Sequence, residues 1–301
     1  MKLAIVKQLE RAVLFGNTEC NVFCYSILPS EDDNTLFFVD YAHNALKRVA
    51  IQNASDAHVV YRCESPVRLC AALFVQFAPQ QKALLVAERL PDSAAQSMSH
   101  SLSVALCDAT RWTHRQRVPL ETATCKLNDA YSFCIGTVHT NKVLCGVWST
   151  SSLEALAVDA TGTARLLQPI PLGFSYLYFE TGHSQGTELL FINICEWPEI
   201  RILQVVDVES LSLQLLRVIE SCGAKLLWHN GLLFATTYHV QTESHEVSVW
   251  RVSGGGQNVV RCGTPIAHAE NMSIHCWSAM GEKIALWDLK SENIFVYELK
   301  Y

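Results

Sequence analysis

The sequence predicts an all-β chain made from one antiparallel unit used six times. Two observations carry that expectation. Six apolar runs of strand type are each followed by a polar turn and a second such run. The first members are Leu36–Val39, Ala83–Ala87, Val143–Val147, Leu189–Ile194, Leu232–Thr236 and Ile284–Trp287. Their partners are Ala45–Val49, Leu102–Leu106, Leu153–Val158, Ile200–Val206, Val247–Val252 and Ile294–Leu299. The start-to-start intervals of the first members are 47, 60, 46, 43 and 52 residues. A recurrence near roughly 40–50 residues fits a four-stranded unit and exceeds the period of leucine-rich or ankyrin repeats. Few windows hold apolar residues at a 3.6 period, whereas alternation and short β-branched or aromatic runs recur, so strands are expected throughout.

Each hairpin has flanking runs that complete a four-stranded sheet. Candidate inner strands precede it: Val22–Leu28, Leu69–Phe77, Ser132–Val138, Phe174–Phe179, Ala224–Trp228 and Ser273–Trp277. These are richest in Cys, Phe, Trp and Ala, as crowding near an axis requires. Candidate outer strands follow: His58–Arg62, Trp112–Val118, Ala164–Ile170, Leu213–Ile219 and Val259–Cys262. Turn residues such as Gly16-Asn17, Asn230-Gly231 and Gly254-Gly255-Gly256 sit between runs and supply the backbone conformations that tight connections need. The sixth hairpin ends at Leu299 without an outer strand, while Leu3–Val6 or Ala12–Phe15 near the start has no unit of its own. The expected architecture is a single β-propeller domain over residues 1–301, with six four-stranded blades closed by an N-terminal strand in the last blade. Closure removes an exposed sheet edge. Seven blades is the alternative, with the long interval 83–143 as the place for a further, degenerate one.

One segment carries a family likeness. Leu36-Phe-Phe-Val-Asp-Tyr-Ala-His-Asn-Ala-Leu-Lys-Arg-Val49 resembles an NHL-type propeller repeat: apolar strand, Asp, polar turn with Asn, basic-apolar strand. The cadence of the whole chain resembles divergent WD40-like propellers. The likeness covers one repeat by motif and the others by hydrophobic rhythm. Trp287-Asp288 does not add to it, because that pair ends a second strand, whereas in a WD blade it closes the third. The resemblance implies a superfold, and a superfold does not imply an activity.

Composition bounds the function classes. Half of the 301 residues are hydrophobic, enough for a large core. With 23 basic and 29 acidic residues the formal charge is −6, which argues against a dedicated nucleic-acid binder. Most of the 12 cysteines lie inside apolar runs and read as small buried hydrophobes. The first charge after Lys2 comes at Lys7, too early for the apolar region of a signal peptide. No window approaches 18 uninterrupted apolar residues, so no membrane association is expected, and the expected location is cytoplasmic, nuclear or both.

Motifs for chemistry are sparse. Cys20 and Cys24 would stand about 13 Å apart on a strand, too far to share one tetrahedral ion. Gly254-Gly255-Gly256 lacks a downstream Gly-Lys-Ser/Thr, and no Gly-x-Ser-x-Gly elbow occurs. His229, His239, His245 and His275 crowd the last third and read as loop or core histidines. No cofactor is expected. The strongest enzyme pattern is Asp40, Glu88, Asn193 and Asp288, each within or just after a first-hairpin strand. Oxygen ligands from separate blades suit a divalent cation, as in six-bladed lactonase-like hydrolases, and that is the alternative function. Solvated strand ends explain the same residues without a metal.

The leading expectation is a non-enzymatic scaffold or adaptor that binds protein partners in an intracellular multi-subunit complex. Its candidate anchors are Trp197, at the tip of Glu196-Trp-Pro-Glu199, and Arg111, Trp112, Arg115 and Arg117 in the densest basic stretch. Trp and Arg are enriched at binding hot spots. Alternation also explains the arginines, as the solvent face of an outer strand. A third reading takes the same stretch as a contact for RNA or an acidic peptide. Leu90–Ser101, small and polar, is expected to be a long hairpin loop.

Overall fold

The structure is a computed structural model that describes residues 2–10, 25–28, 34–40, 43–63, 68–78, 81–92, 97–108, 111–126, 133–139, 141–147, 150–194, 199–207, 210–220, 225–239, 244–263, 274–288 and 290–300. Among them every regular element is a β-strand. Strand β1 is Lys2–Glu10. Strands β2 (Tyr25–Leu28), β3 (Thr35–Asp40), β4 (Ala45–Ala50) and β5 (Asn53–Arg62) form one sheet in chain order. The next sheet is β6 (Arg68–Ala78), β7 (Gln81–Asp92), β8 (Ser97–Asp108) and β9 (Arg111–Lys126). Then come β10 (Phe133–Val138), β11 (Lys142–Val147), β12 (Ser152–Val158), β13 (Ala164–Leu166) and β14 (Ile170–Pro171). Strands β15 (Tyr176–Ser184), β16 (Thr187–Ile194), β17 (Glu199–Val205) and β18 (Leu213–Glu220) follow. So do β19 (Lys225–His229), β20 (Leu232–His239), β21 (Ser244–Ser253) and β22 (Asn258–Gly263). Finally β23 (Ile274–Met280), β24 (Lys283–Asp288) and β25 (Asn293–Lys300) make a sheet whose outer place is taken by β1, antiparallel to β25 from Lys2↔Lys300 to Glu10↔Asn293.

The expectation of six, or alternatively seven, four-stranded blades is corrected. Five sheets have the four-stranded form of a blade; the sheet that starts at Phe133 has five strands. The expected outer strand Ala164–Ile170 splits in two. Strand β13 pairs with Leu156–Val158 of β12, whereas β14 pairs with Ser152 and Leu153 of the same strand. Pro169 stands between the two pieces, and a proline has no N–H to continue a ladder. No seventh unit occupies 83–143 among the described residues, because β7, β8 and β9 fill that interval with 12, 12 and 16 residues. The same lengthening corrects the loop expected at Leu90–Ser101: Leu90, Pro91 and Asp92 pair with Ser99, Met98 and Ser97.

The chain forms two compact units, Met1–Arg62 with Ser221–Tyr301, and Cys63–Glu220. In the first, Leu9, Leu36, Phe38, Val49, Trp287 and Val296 form one buried cluster. A second joins Leu227, Phe234, Val249, Trp277, Leu286 and Tyr297. The Trp277 indole is accommodated by donating Nε1–H to the Leu226 carbonyl at 3.1 Å and by meeting the Phe234 ring edge-on. In the second unit, Leu144, Leu153, Tyr176, Phe179, Leu190 and Ile192 belong to one buried cluster. Gly146 leaves the room that the Tyr176 hydroxyl fills; any Cβ there would collide with it. Each fully buried side chain of this size contributes about 1.5–3 kcal/mol, which is why these alternating inward residues decide the register of every sheet.

Candidate functional site

Two of the four carboxylate and amide candidates are committed to turns. Asp40 ends β3 and is fully buried. Its Oδ1 accepts the His43 backbone N–H at 3.0 Å, and its Oδ2 takes both the His43 ring Nδ1 and the Lys47 ammonium at 2.7 Å. Asp288 ends β24, where the Lys290 and Ser291 N–H groups and the Ser291 hydroxyl donate to it. Asp207 holds Ser210 in the same way. In all three turns the residue four places after the Asp has a left-handed backbone: Asn44 (φ 55°), Leu211 (φ 49°) and Glu292 (φ 55°). A short carboxylate that binds the N–H three residues on is what makes such a turn affordable. The Lys47 ammonium already neutralises Asp40, which leaves it poorly suited to a cation. Asn193 is buried in β16 and its Nδ2 has no hydrogen-bond partner. Glu88 pairs in register with Leu69 and Ser101, and its side chain lies outside the described residues. Asp40 and Asp288 belong to the first unit, Glu88 and Asn193 to the second. Among the described residues no group of three His, Cys, Asp or Glu side chains is placed to hold a metal ion.

Three of the described cysteines behave as small hydrophobes. Cys63, Cys134 and Cys145 are buried free thiols. Burial pushes Cys134 up to about 12, with a smaller upward push from the Glu180 charge, against a lowering hydrogen bond at Phe179. Burial also raises Cys145 well above the ordinary thiol range, and Glu154 opposite it adds to the effect. Neither thiol is a nucleophile at neutral pH, since the thiolate is the reactive form. His229 is buried at the end of β19 beside Asn230, as a core histidine would be.

The apolar residues that remain exposed lie on or beside outer strands. Among the described residues they are Ile5 and Val6 in β1, Val59 in β5, Val260 in β22, Leu215 and Val218 in β18, and Val206 in the connection that leads into β18. Each of these strands ends its sheet and has one free hydrogen-bonding edge within that sheet. Strand β18 carries two of them, Leu215 and Val218, 51% and 42% exposed. The basic stretch is an outer strand, as expected, and Arg117 is exposed. The ladder shifts between Val104 and Ala105, leaving Arg115 unpaired, so regular alternation does not run from Arg111 to Arg117. The side chains of Arg111, Trp112 and Arg115 lie outside the described residues, and so does Trp197 altogether.

A pocket of about 200 Å³ opens in the first unit, lined by Thr35, Arg48, Val49, Ala50, Asn53 and His58. Its origin is a break in register. Ala50 pairs with Asn53 and Arg48 pairs with His58, so one residue of β4 stands opposite four of β5. Residues 54–57 must bulge out, and Ala57 packs on the Leu36–Phe38–Trp287 cluster, which pins the bulge. His43, Lys47 and Arg48 lie in the NHL-like segment and His58 opens an expected outer strand, but their residue types alone assign them no site. The spacing Asp40, His43, Lys47 around an Asn-containing turn was a readable signal. The bulge was not, because register depends on which strand pairs with which residue.

No family model matches the chain, and no curated protein matches it. Solved structures do. The β-propeller domain of Myceliophteria thermophila Cps50 (Swd1) is 11% identical with a TM-score of 0.53, and the match covers 99% of this chain and 100% of that one. A chain of a mitotic checkpoint complex is 8% identical with a TM-score of 0.55, covering 99% and 92%. A streptogramin B lyase is 12% identical with a TM-score of 0.51, covering 98% and 87%. At such identities the likeness is one of fold. The chain is a β-propeller, as the resemblance to divergent WD40-like and NHL-like propellers implied. An enzyme and proteins of other kinds share that fold, so the fold alone leaves the activity open.

Proposed function

We propose that the protein is a non-enzymatic scaffold or adaptor that works as one propeller domain and binds protein partners in an intracellular complex, in the cytoplasm, the nucleus or both. The observation that carries this reading is the exposed apolar pair Leu215 and Val218 on one face of β18, an outer strand with a free edge within its sheet. Contiguous exposed apolar surface is characteristic of interaction sites. The commitment of Asp40 to Lys47 and His43, and of Asp288 to its own turn, supports the scaffold over a hydrolase that would need both carboxylates. Trp197, Arg111, Trp112, Arg115 and Arg117 remain the proposed additional anchors. The test is affinity purification of the wild-type chain beside Leu215→Glu and Val218→Glu. A defined set of proteins should co-purify with the wild type and drop by at least about tenfold with either variant, as loss of a hot spot predicts. Equal recovery from all three removes β18 from the reading. Equal recovery from Trp197→Ala removes that anchor.

A further inference from the structure

We propose that the pocket between β4 and β5 binds a phosphate monoester. This inference is independent of the scaffold reading. Four residues with hydrogen-bonding side chains line the pocket: Arg48, His58, Asn53 and Thr35. Arg48 and His58 are direct cross-strand partners, so their side chains leave the ladder side by side. Arg48 makes no ion pair among the described residues. A guanidinium presents donors in a fixed fork that matches phosphate oxygens two at a time. Thr35 on β3 and Asn53 on β5 line the pocket from either side of β4, both in register with Ala50, and add neutral polar side chains to it. Val49 and Ala50 add the apolar part of the lining. The site is held in advance of binding. Thr35 and Ala50 are in register, Ile51 N–H donates to the Asn34 carbonyl at 2.7 Å, and Ala57 anchors the bulge in the core. A ligand here meets a backbone already bent into a pocket rather than a flat strand.

The same group is offered by a phosphorylated serine or threonine of a protein and by free phosphorylated small molecules. The experiment uses the full chain at constant ionic strength and follows the Arg48 Nε–H and His58 ring resonances by NMR. The probes are inorganic phosphate, O-phospho-L-serine and a short glycine-flanked phosphoserine peptide. All three should move both resonances in a saturable way. Arg48→Gln should weaken binding by about tenfold or more, the usual effect of losing a charge-assisted hydrogen bond. Arg48 is exposed, so this variant keeps the fold, which its amide spectrum verifies. Asp56→Asn, which removes the one acid of the bulge, should bind at least as tightly as the wild type. Tighter binding of the peptide than of O-phospho-L-serine assigns the ligand to proteins; equal affinity assigns it to small molecules. Linear, non-saturating shifts, equal binding by Arg48→Gln, or loss of binding in Asp56→Asn would each overturn the proposal.

Discussion

The turns after Asp40 and Asp288 occupy the same place in two sheets, yet their buried carboxylates are treated differently. Both end a second strand, both bind the backbone N–H three residues on, and both are followed by a left-handed residue. Around Asp40 the remaining partners are cationic or titratable, Lys47 and His43. Around Asp288 the Ser291 hydroxyl and the Lys290 N–H, both neutral, are among the donors. One turn therefore holds a charge pair at the surface of the core, and the other holds a hydrogen-bonded anion near Tyr297, whose ionisation it opposes. Equivalent geometry does not mean equivalent electrostatics, because the side chains that reach a carboxylate come from the following strand and differ between sheets.

Replacing the two acids is the sharpest way to break this comparison. Asp40→Ala should lower the free energy of unfolding by about 3 kcal/mol, since it strips Lys47 of its counter-charge as well as the turn of its cap. Asp288→Ala should cost about 1.5 kcal/mol, the loss of a buried acceptor with neutral partners. Urea unfolding curves measure both, and equal losses would mean that the Lys47 contact contributes nothing.

Alkaline titration sharpens the second turn. Burial first, and the Asp288 charge second, push the Tyr297 hydroxyl up from about 10 to about 12. Below pH 10 the folded and unfolded chains both hold this proton. Between 10 and 12 the unfolded chain loses it first, so its contribution to stability falls as pH rises through that window. Asp288→Asn should bring the phenolate transition partway back toward its ordinary value, read by ultraviolet absorbance. No change would show that burial alone sets it.

The smallest expected effect concerns the left-handed residues. Asn tolerates that backbone, whereas Glu is strained in it. Glu292→Gly should therefore stabilise the chain by about 0.5 kcal/mol, while Asn44→Gly changes it by no more than about 0.3 kcal/mol. Thermal unfolding of the two variants side by side separates them, and a gain at Asn44 matching that at Glu292 would remove the distinction.

Much of the fold was legible in the residues. The six hairpins stand where alternating apolar runs put them, and the last sheet takes its outer strand from the N-terminus. The expected outer strand Ala164–Ile170 failed at a residue that was in plain view, Pro169; its missing N–H divides the pairing between Leu156 and Leu153. Leu90–Ser101 was misread because small polar residues suggest a loop, although pairing to the neighbouring ladder overrides that weak local preference. The candidate pocket was not legible at all. Arg48 and His58 are ten residues apart, and only the bulge of 54–57 makes them neighbours.

What the amino-acid order determined alone was the repeated hairpin, its inward residues and the turn chemistry of Asp40 and Asp288, because alternation and short-range hydrogen bonds act over a few residues. What only the tertiary structure decided was register: which residue of β5 faces Arg48, where β9 shifts, and which partners each buried carboxylate meets. Those choices depend on apolar side chains from several strands filling one space together, and no local run of sequence contains that sum.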